Sequence, residues 1–366
     1  MRIPINDLKR HHEPLAGELA EAVNRVLSRG WYILGPEVEA FEQEFARYCG
    51  VEHCAGVANG TDALELALRA VGVRPGAEVA TVANAGMYAT TAILLAEARP
   101  LYIDVDERSM TMSAAALVAA LSWETAAVIV THLYGQMAEV EALREIAREK
   151  GVPLIEDCAQ AHGAERAGRK SGSWGTLGCF SFYPTKNLGA VGDGGAIVTA
   201  DASLAAKVRA QRQYGWSGKY RATVAGGRNS RLDEIQAAVL RAQLPYLDGW
   251  NARRRAIARI YGEALAGTGL VLPGGDRDYV AHLYVIRSAG RERIRTTLAA
   301  AGIATDVHYP VPDHQQESLR GMAFRRTALP VTEACARQVL TLPCFPEMTD
   351  GEAGEVARAV RAAIGL

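Results

Sequence analysis

Lys186 lies in the run Ser181-Phe182-Tyr183-Pro184-Thr185-Lys186-Asn187-Leu188-Gly189, a strand and a loop beyond Glu156-Asp157-Cys158-Ala159-Gln160-Ala161-His162-Gly163. Together the two runs offer an amine (Lys186), a carboxylate (Asp157), an amide (Gln160) and a hydroxyl (Ser181), all in loops beside apolar strands. Pyridoxal 5'-phosphate needs that set from a protein. The amine condenses with its aldehyde, and the carboxylate keeps its pyridine nitrogen protonated so that the ring accepts electrons. The hydroxyl, with nearby backbone amides, holds its phosphate.

Each residue has a plainer reading when taken alone. A lysine beside asparagine and glycine is ordinarily a solvated loop residue. Here it falls between the apolar Cys179-Phe180-Ser181-Phe182 and the glycine-rich Gly189-Ala190-Val191-Gly192-Asp193-Gly194-Gly195. Partial desolvation there, with a cationic ring nearby, would depress its pKa and make it nucleophilic near neutral pH. Asp157 could be a metal ligand, a ribose clamp or a helix N-cap. The eight histidines (His11, His12, His53, His132, His162, His282, His308 and His314) form no His-x-x-x-His or Glu-x-x-His motif, so no metal is expected. Gly192-Asp193-Gly194-Gly195 comes late and precedes a strand, unlike a dinucleotide-binding turn. Asn59-Gly60-Thr61 before a helix suits simple N-capping, and also an anion, because free N–H groups and the helix dipole favour a phosphate there.

The elements that must position these groups follow from periodicity. Strands are expected at Val79 to Val82, Leu101 to Asp104, Ala127 to Val130, Pro153 to Ile155 and Gly195 to Thr199. Helical patterns separate them. Leu64, Ala67, Leu68 and Val71 share one face after Asn59, and Val140, Leu143, Ile146 and Ala147 share another between about 138 and 150. Asp201 reads as an N-cap. Such alternation implies an α/β fold, a mostly parallel sheet sandwiched by helices. Ligands of such sheets bind at the carboxyl ends of strands, which is where Asp157 falls. A helix from about Leu232 should break at Pro245 and resume from Trp250 to Leu265. The expected division is a large domain over 1–245 and a smaller C-terminal α+β domain over 246–366. In the second, Tyr279 to Arg287 and Ala304 to Tyr309 read as strands and Glu292 to Ala301 as a helix. Thr349-Asp350-Gly351-Glu352 is a capping box opening the last helix.

Composition narrows the class. A chain of 366 residues, 49% hydrophobic and 22% charged, is ordinary for a globular enzyme of two domains. A net charge of −1, with the cations spread out, gives no nucleic-acid footprint. No apolar run is long enough to span a bilayer, and Met1 to Leu8 has no signal-like core. The six cysteines show no Cys-x-x-Cys pair, which fits reduced thiols and a cytoplasmic location.

With these motifs in order, the chain resembles the DegT/DnrJ/EryC1/StrS family of sugar aminotransferases, of fold-type I. The resemblance also covers Gly30 to Glu42, Asn59 to Leu64, His132-Leu133-Tyr134-Gly135-Gln136, Asn229 to Ala238, and His308-Tyr309-Pro310 with His314. It implies a homodimer with shared active sites that moves an amino group from L-glutamate to a nucleotide-linked keto sugar through pyridoxal phosphate. Position by position, it makes Lys186 the catalytic amine and Asp157 the partner of the pyridine nitrogen. Gln160 would touch the cofactor ring or its 3-hydroxyl. Ser181 with the Gly60 and Thr61 amides would hold the phosphate, and Asn229 would reach the neighbouring subunit's phosphate beside Arg231. Many members carry Pro-x-x-Thr and then an aromatic that stacks on the ring. Here Val82-Ala83-Asn84-Ala85-Gly86-Met87-Tyr88 places Gly86 at the aromatic position, and Tyr88, two residues late, is the candidate to stack on the cofactor ring.

The loop Tyr214 to Tyr220 resembles the subgroup acting on carbon 3 of the sugar. Its Tyr214 and Lys219 suit a sugar ring and a diphosphate. Tyr183, Arg231, His308, Tyr309 and His314 complete the implied substrate set. The alternatives are amination at carbon 4, a cyclitol acceptor, a dehydratase of the same fold and a non-catalytic regulator. Lys186 argues against the dehydratase, whose known members carry histidine there, and the intact set of four argues against the regulator.

Overall fold

The computed structural model describes residues 1–366. Its first strands are β1 (His53–Val57), β2 (Glu78–Val82), β3 (Arg99–Ile103), β4 (Thr125–Thr131) and β5 (Leu154–Asp157). A small hairpin, β6 (Glu165–Arg166) and β7 (Arg169–Lys170), precedes β8 (Leu177–Ser181) and β9 (Gly195–Thr199). A second hairpin is β10 (Trp216–Gly218) with β11 (Arg221–Ala222). The chain then adds β12 (Tyr284–Arg287), β13 (Arg325–Arg326) and β14 (Val339–Leu342).

Eight strands form one sheet in the order β1-β9-β8-β5-β4-β2-β3-β13, parallel except for β9, which runs antiparallel to both neighbours. The side-chain period of two divides the sheet's apolar residues between two cores. Val128 and Val130 of β4 join one core, while Ala127 and Ile129 join the other, against the helix Gly60–Ala70. Burial on both faces explains why these strands read as unbroken apolar runs. This is the doubly covered, mostly parallel sheet of the fold-type I class.

A separate core joins Ile3 to side chains between Ile257 and Ala363, over the β12–β14 pair and the helices Leu247–Leu265, Arg291–Ala300 and Asp350–Ala363. Thr349 and Glu352 close the capping box at the last helix. Arg325 of β13 grips the Glu78 carboxylate with two bonds of 2.7 Å at the edge of the large sheet. No helix is long and apolar enough to cross a membrane. All six cysteines are free and buried.

Three expected elements differ. The strand expected over 279–287 joins β14 only from Tyr284, because Ala281 takes φ +45°, Tyr279 bridges to Gln136 instead, and the Val280 and Leu283 amides are committed to Gly135 and Tyr134 carbonyls. The strand expected over 304–309 makes a single bridge, Asp306 to Thr341, and β14 takes its place beside β12. Pro245 does break the helix, in a 3-10 turn over Leu244–Tyr246. The next helix starts at once, at Leu247 instead of Trp250.

Candidate active site

Three parallel strands end at one place. Thr131 closes β4, Asp157 closes β5 and Ser181 closes β8, while β1 runs through Ala58 and Asn59 into the helix Gly60–Ala70. Between them lies a cavity of about 640 Å³. Lys186, Asp157, Gln160, Ser181, Gly60 and Thr61 all line it, as do Tyr88 and Tyr183.

Lys186 is held from both sides. Its amide donates to the Tyr183 carbonyl at 2.8 Å, and its neighbour Asn187 is fixed by three bonds. The Asn187 amide donates to Asn251 Oδ1 (2.8 Å) and the Val280 carbonyl (3.2 Å), and its oxygen pairs with His282 Nδ1 (2.9 Å). Burial lowers Lys186 to about 8, against the opposing pull of Asp157. A neutral, nucleophilic fraction therefore exists near physiological pH.

Asp157 accepts the Ala159 amide (3.1 Å) and the Thr131 hydroxyl (3.3 Å). Burial raises its pKa despite those bonds and despite Lys186 and His132. A buried carboxylate at a cavity wall is a fitting receptor for a protonated pyridine nitrogen. The adjacent Glu156 faces the other way, as strand alternation requires. It accepts the amides of Gly172 (2.9 Å), Trp174 (2.7 Å) and Gly175 (2.6 Å). His132 Nδ1 accepts the Ala138 amide, so its Nε2–H donates to Glu156 at 2.9 Å. Four donors on one carboxylate pin the end of β5 and therefore Asp157.

The opposite end is an anion cradle. Asn59 caps the helix by accepting the Asp62 amide at 2.8 Å. Gly60 and Thr61 sit in the first turn, where amides have no intrahelical acceptor. A Cβ on Gly60 would stand 2.6 Å from the Ser181 Cβ, so only glycine lets the helix start come this close to the serine. The Ser181 hydroxyl accepts the Tyr183 amide (3.3 Å), which leaves its proton for a ligand. Gln160 is oriented by accepting the Tyr134 amide (2.6 Å) and donating to the Tyr309 hydroxyl (3.2 Å). Amine, carboxylate, amide and anion cradle thus fit the cofactor inferred from the sequence.

Other expected site residues are placed differently. His308 turns to Thr341 Oγ1 (2.8 Å), while its carbonyl accepts the Tyr134 hydroxyl. His314 points inward beside Tyr102 and pairs with Glu333, away from the cavity lining. Tyr214, Lys219, Asn229 and Arg231 lie outside the lining of a single chain. Tyr214 and Tyr220 flank Trp216, with Lys219 over the Tyr220 ring and Arg231 over that of Tyr214. Thr131, Glu156, Asn187 and Asp193 were not singled out from the sequence, although all lie in or beside the motifs quoted for the resemblance. Thr131 was also legible as the end of a parallel strand.

The fold and site define a pyridoxal-phosphate enzyme of fold-type I. The chain belongs to the DegT/DnrJ/EryC1/StrS aminotransferase family, whose sequence model matches residues 14–361. It is an aminotransferase with pyridoxal phosphate as cofactor. It is 45% identical to the dTDP-3-amino-3,4,6-trideoxy-alpha-D-glucose transaminase of Streptomyces venezuelae, over 98% of this chain and 96% of that protein. To the UDP-N-acetyl-3-dehydro-alpha-D-glucosamine 3-aminotransferase of Acidithiobacillus ferrooxidans it is 43% identical, over 98% and 97% of the two chains. The crystal structure of S. venezuelae DesV in complex with a ketimine intermediate superposes with a TM-score of 0.96, at 44% identity, over 100% of this chain and 99% of that one.

The lowered pKa of Lys186 has a measurable consequence. The neutral amine is the reactive form, so the rate at which cofactor-free protein captures added pyridoxal phosphate should rise with pH about a midpoint of about 8. An ordinary lysine would place that midpoint near ~10.4. Stopped-flow absorbance against pH measures it, and a midpoint above pH ~10 would refute the desolvated amine.

Proposed function

We propose that the protein transfers an amino group from L-glutamate to the carbon-3 keto group of a nucleotide-linked deoxysugar. The observation that supports this most is the cavity's division. Cofactor-binding groups fill its inner end, and the exposed rings of Tyr88 and Tyr183 stand at its outer end, suited to a sugar face. The carbon-3 chemistry named for the two relatives above favours that position over carbon 4 or a cyclitol.

In this reading Lys186 Nζ takes the proton from the donor carbon and later delivers one to the acceptor carbon. Its pKa of about 8 suits both directions near neutral pH. Asp157 accepts the pyridine N–H, Thr131 and Ala159 hold that carboxylate in place, and Ser181 with the Gly60 and Thr61 amides binds the phosphate. When bound, the cofactor supplies the electron sink for the carbanion. Asn229 with Arg231 serves the site of a second copy, and Tyr214 and Lys219 meet the sugar diphosphate in the resulting homodimer. Monomeric holoenzyme in sedimentation would overturn that arrangement. The substrate assignment is tested by offering 3-keto and 4-keto sugar nucleotides with L-glutamate and locating the new amine by NMR. Amination at carbon 3 is expected, and exclusive amination at carbon 4 would refute the position.

A further inference from the structure

Asp313 is 1% exposed, and its neighbours in the fold come from far away in the chain. One carboxylate oxygen accepts the Met87 amide at 3.0 Å, and the other accepts the Thr90 hydroxyl at 2.7 Å. Thr90 in turn meets the Tyr102 hydroxyl at 3.0 Å. The Asp313 amide donates to the Ala83 carbonyl at 2.7 Å. These bonds fasten the segment 83–90 at three points.

The fastened segment is the one that departs from the family pattern. The helix Tyr88–Leu95 starts from Met87, at φ +70°, and Met87 provides no side-chain cap. Asp313 does that work from the C-terminal part of the chain, where a carboxylate also complements the helix dipole. Gly86 takes φ +76°, and a Cβ there would stand 2.8 Å from the Tyr309 ring. That ring occupies the space a side chain at position 86 would need. Tyr309 also meets Tyr88 edge-on, with centroids 6.2 Å apart, and receives the Gln160 amide.

We infer that Asp313 is a positioning residue for the acceptor: by capping the helix that carries Tyr88 and seating it against the segment that carries Tyr309, it makes the lining ring of Tyr88 a fixed wall at the mouth of the cavity, backed by the Tyr309 ring outside the lining. Tyr88 is 51% exposed, at the rim. A donor amino acid needs only the space beside Lys186, whereas a sugar diphosphate extends to the rim. The wall therefore acts on the acceptor half-reaction. Burial raises Asp313 to about 6, with only hydroxyl and amide donors opposing it, so the clamp is a carboxylate with no cation to replace those bonds.

This inference rests on the aminotransferase site described above, and two readouts keep it separable from the substrate assignment. Asp313→Asn keeps the shape but turns one acceptor into a donor. Hydrogen exchange of the peptide 83–91 should then rise about tenfold, the loss of one charge-assisted bond, while the rest of the chain is unchanged. The KM for the keto sugar should rise about tenfold as well, while glutamate bleaches the visible cofactor band at an unaltered rate. Thr90→Val, which removes one of the two bonds, should show a smaller change of the same kind and Thr90→Ser none. It serves in place of Asp313→Asn if that variant does not fold. Unchanged exchange in 83–91 would overturn the clamp. Raised exchange with an unchanged acceptor KM, or with both half-reactions slowed equally, would overturn the positioning role. If the parent protein aminates no keto sugar, the substrate assignment fails, and the exchange measurement still decides the clamp.

Discussion

Lys186→Ala is expected to fold as the parent does, lose the visible absorbance of bound cofactor, and turn over at least about 10⁴-fold more slowly. Two functions disappear with one side chain. The amine that fixes the cofactor covalently is lost, and so is the group that moves a proton at the reacting carbon. Stability should hardly change, because the Lys186 side chain makes no hydrogen bond or ion pair with the rest of the protein and Asn187 holds the loop independently. Absorbance spectra, thermal melts and steady-state assays check the three parts. A small primary amine added to the variant should restore part of the rate, since the cavity vacated by the side chain admits it. Parental turnover in Lys186→Ala would show that another group is the nucleophile.

Asp157→Asn should lower kcat/KM by about 10²- to 10³-fold, the scale of losing one preorganised charge contact in a water-poor site. Asparagine keeps the shape, and its one oxygen can still accept the Ala159 amide, while its nitrogen faces the Thr131 hydroxyl as a donor. Its neutral amide cannot hold a proton on the pyridine nitrogen, so the ring loses most of its capacity as an electron sink. Cofactor should still bind, through Ser181, Gly60 and Thr61, though more weakly. Titration with pyridoxal phosphate followed by single-turnover measurements with glutamate separates binding from chemistry. A variant that binds weakly but reacts at the parental rate would reduce Asp157 to a binding residue.

Much of the site was legible in the sequence because its groups sit at the ends of apolar parallel strands, in contiguous runs. Asp157 needed only the position of β5, whereas a strand serine at 181 and an N-cap before Gly60 each read as ordinary alone, and their phosphate role came with the family resemblance. Asp313 was not legible. Its partners Met87 and Thr90 are more than two hundred residues away, and an aspartate after Pro312 reads as a surface turn. Glu156 escaped notice for a related reason: four donors from two segments satisfy it, and none shares its periodicity. In the C-terminal part, strand-like composition over 279–287 could not reveal that Ala281 would leave the extended region and delay the ladder to Tyr284. Nor could it tell which apolar run β12 would choose. Val339–Leu342 takes the place beside it that the stretch from Ala304 touches only at Asp306.

The pairing of β13 with β3, and of Ile3 with Ile303, also bears on how the molecule is made. On the ribosome, β3 emerges early and waits as a bare sheet edge until residues 325 and 326 follow it, while Ile3 waits for nearly the whole chain. An exposed edge on a nearly complete sheet invites pairing with another chain. The lateness of β13 therefore leaves Leu101 and Tyr102 of that edge unpaired until the chain is nearly complete. Once closed, β13 ties the C-terminal part to the large sheet and Ile3 ties the N-terminus into the separate core, so that neither part is readily released by a cut between them.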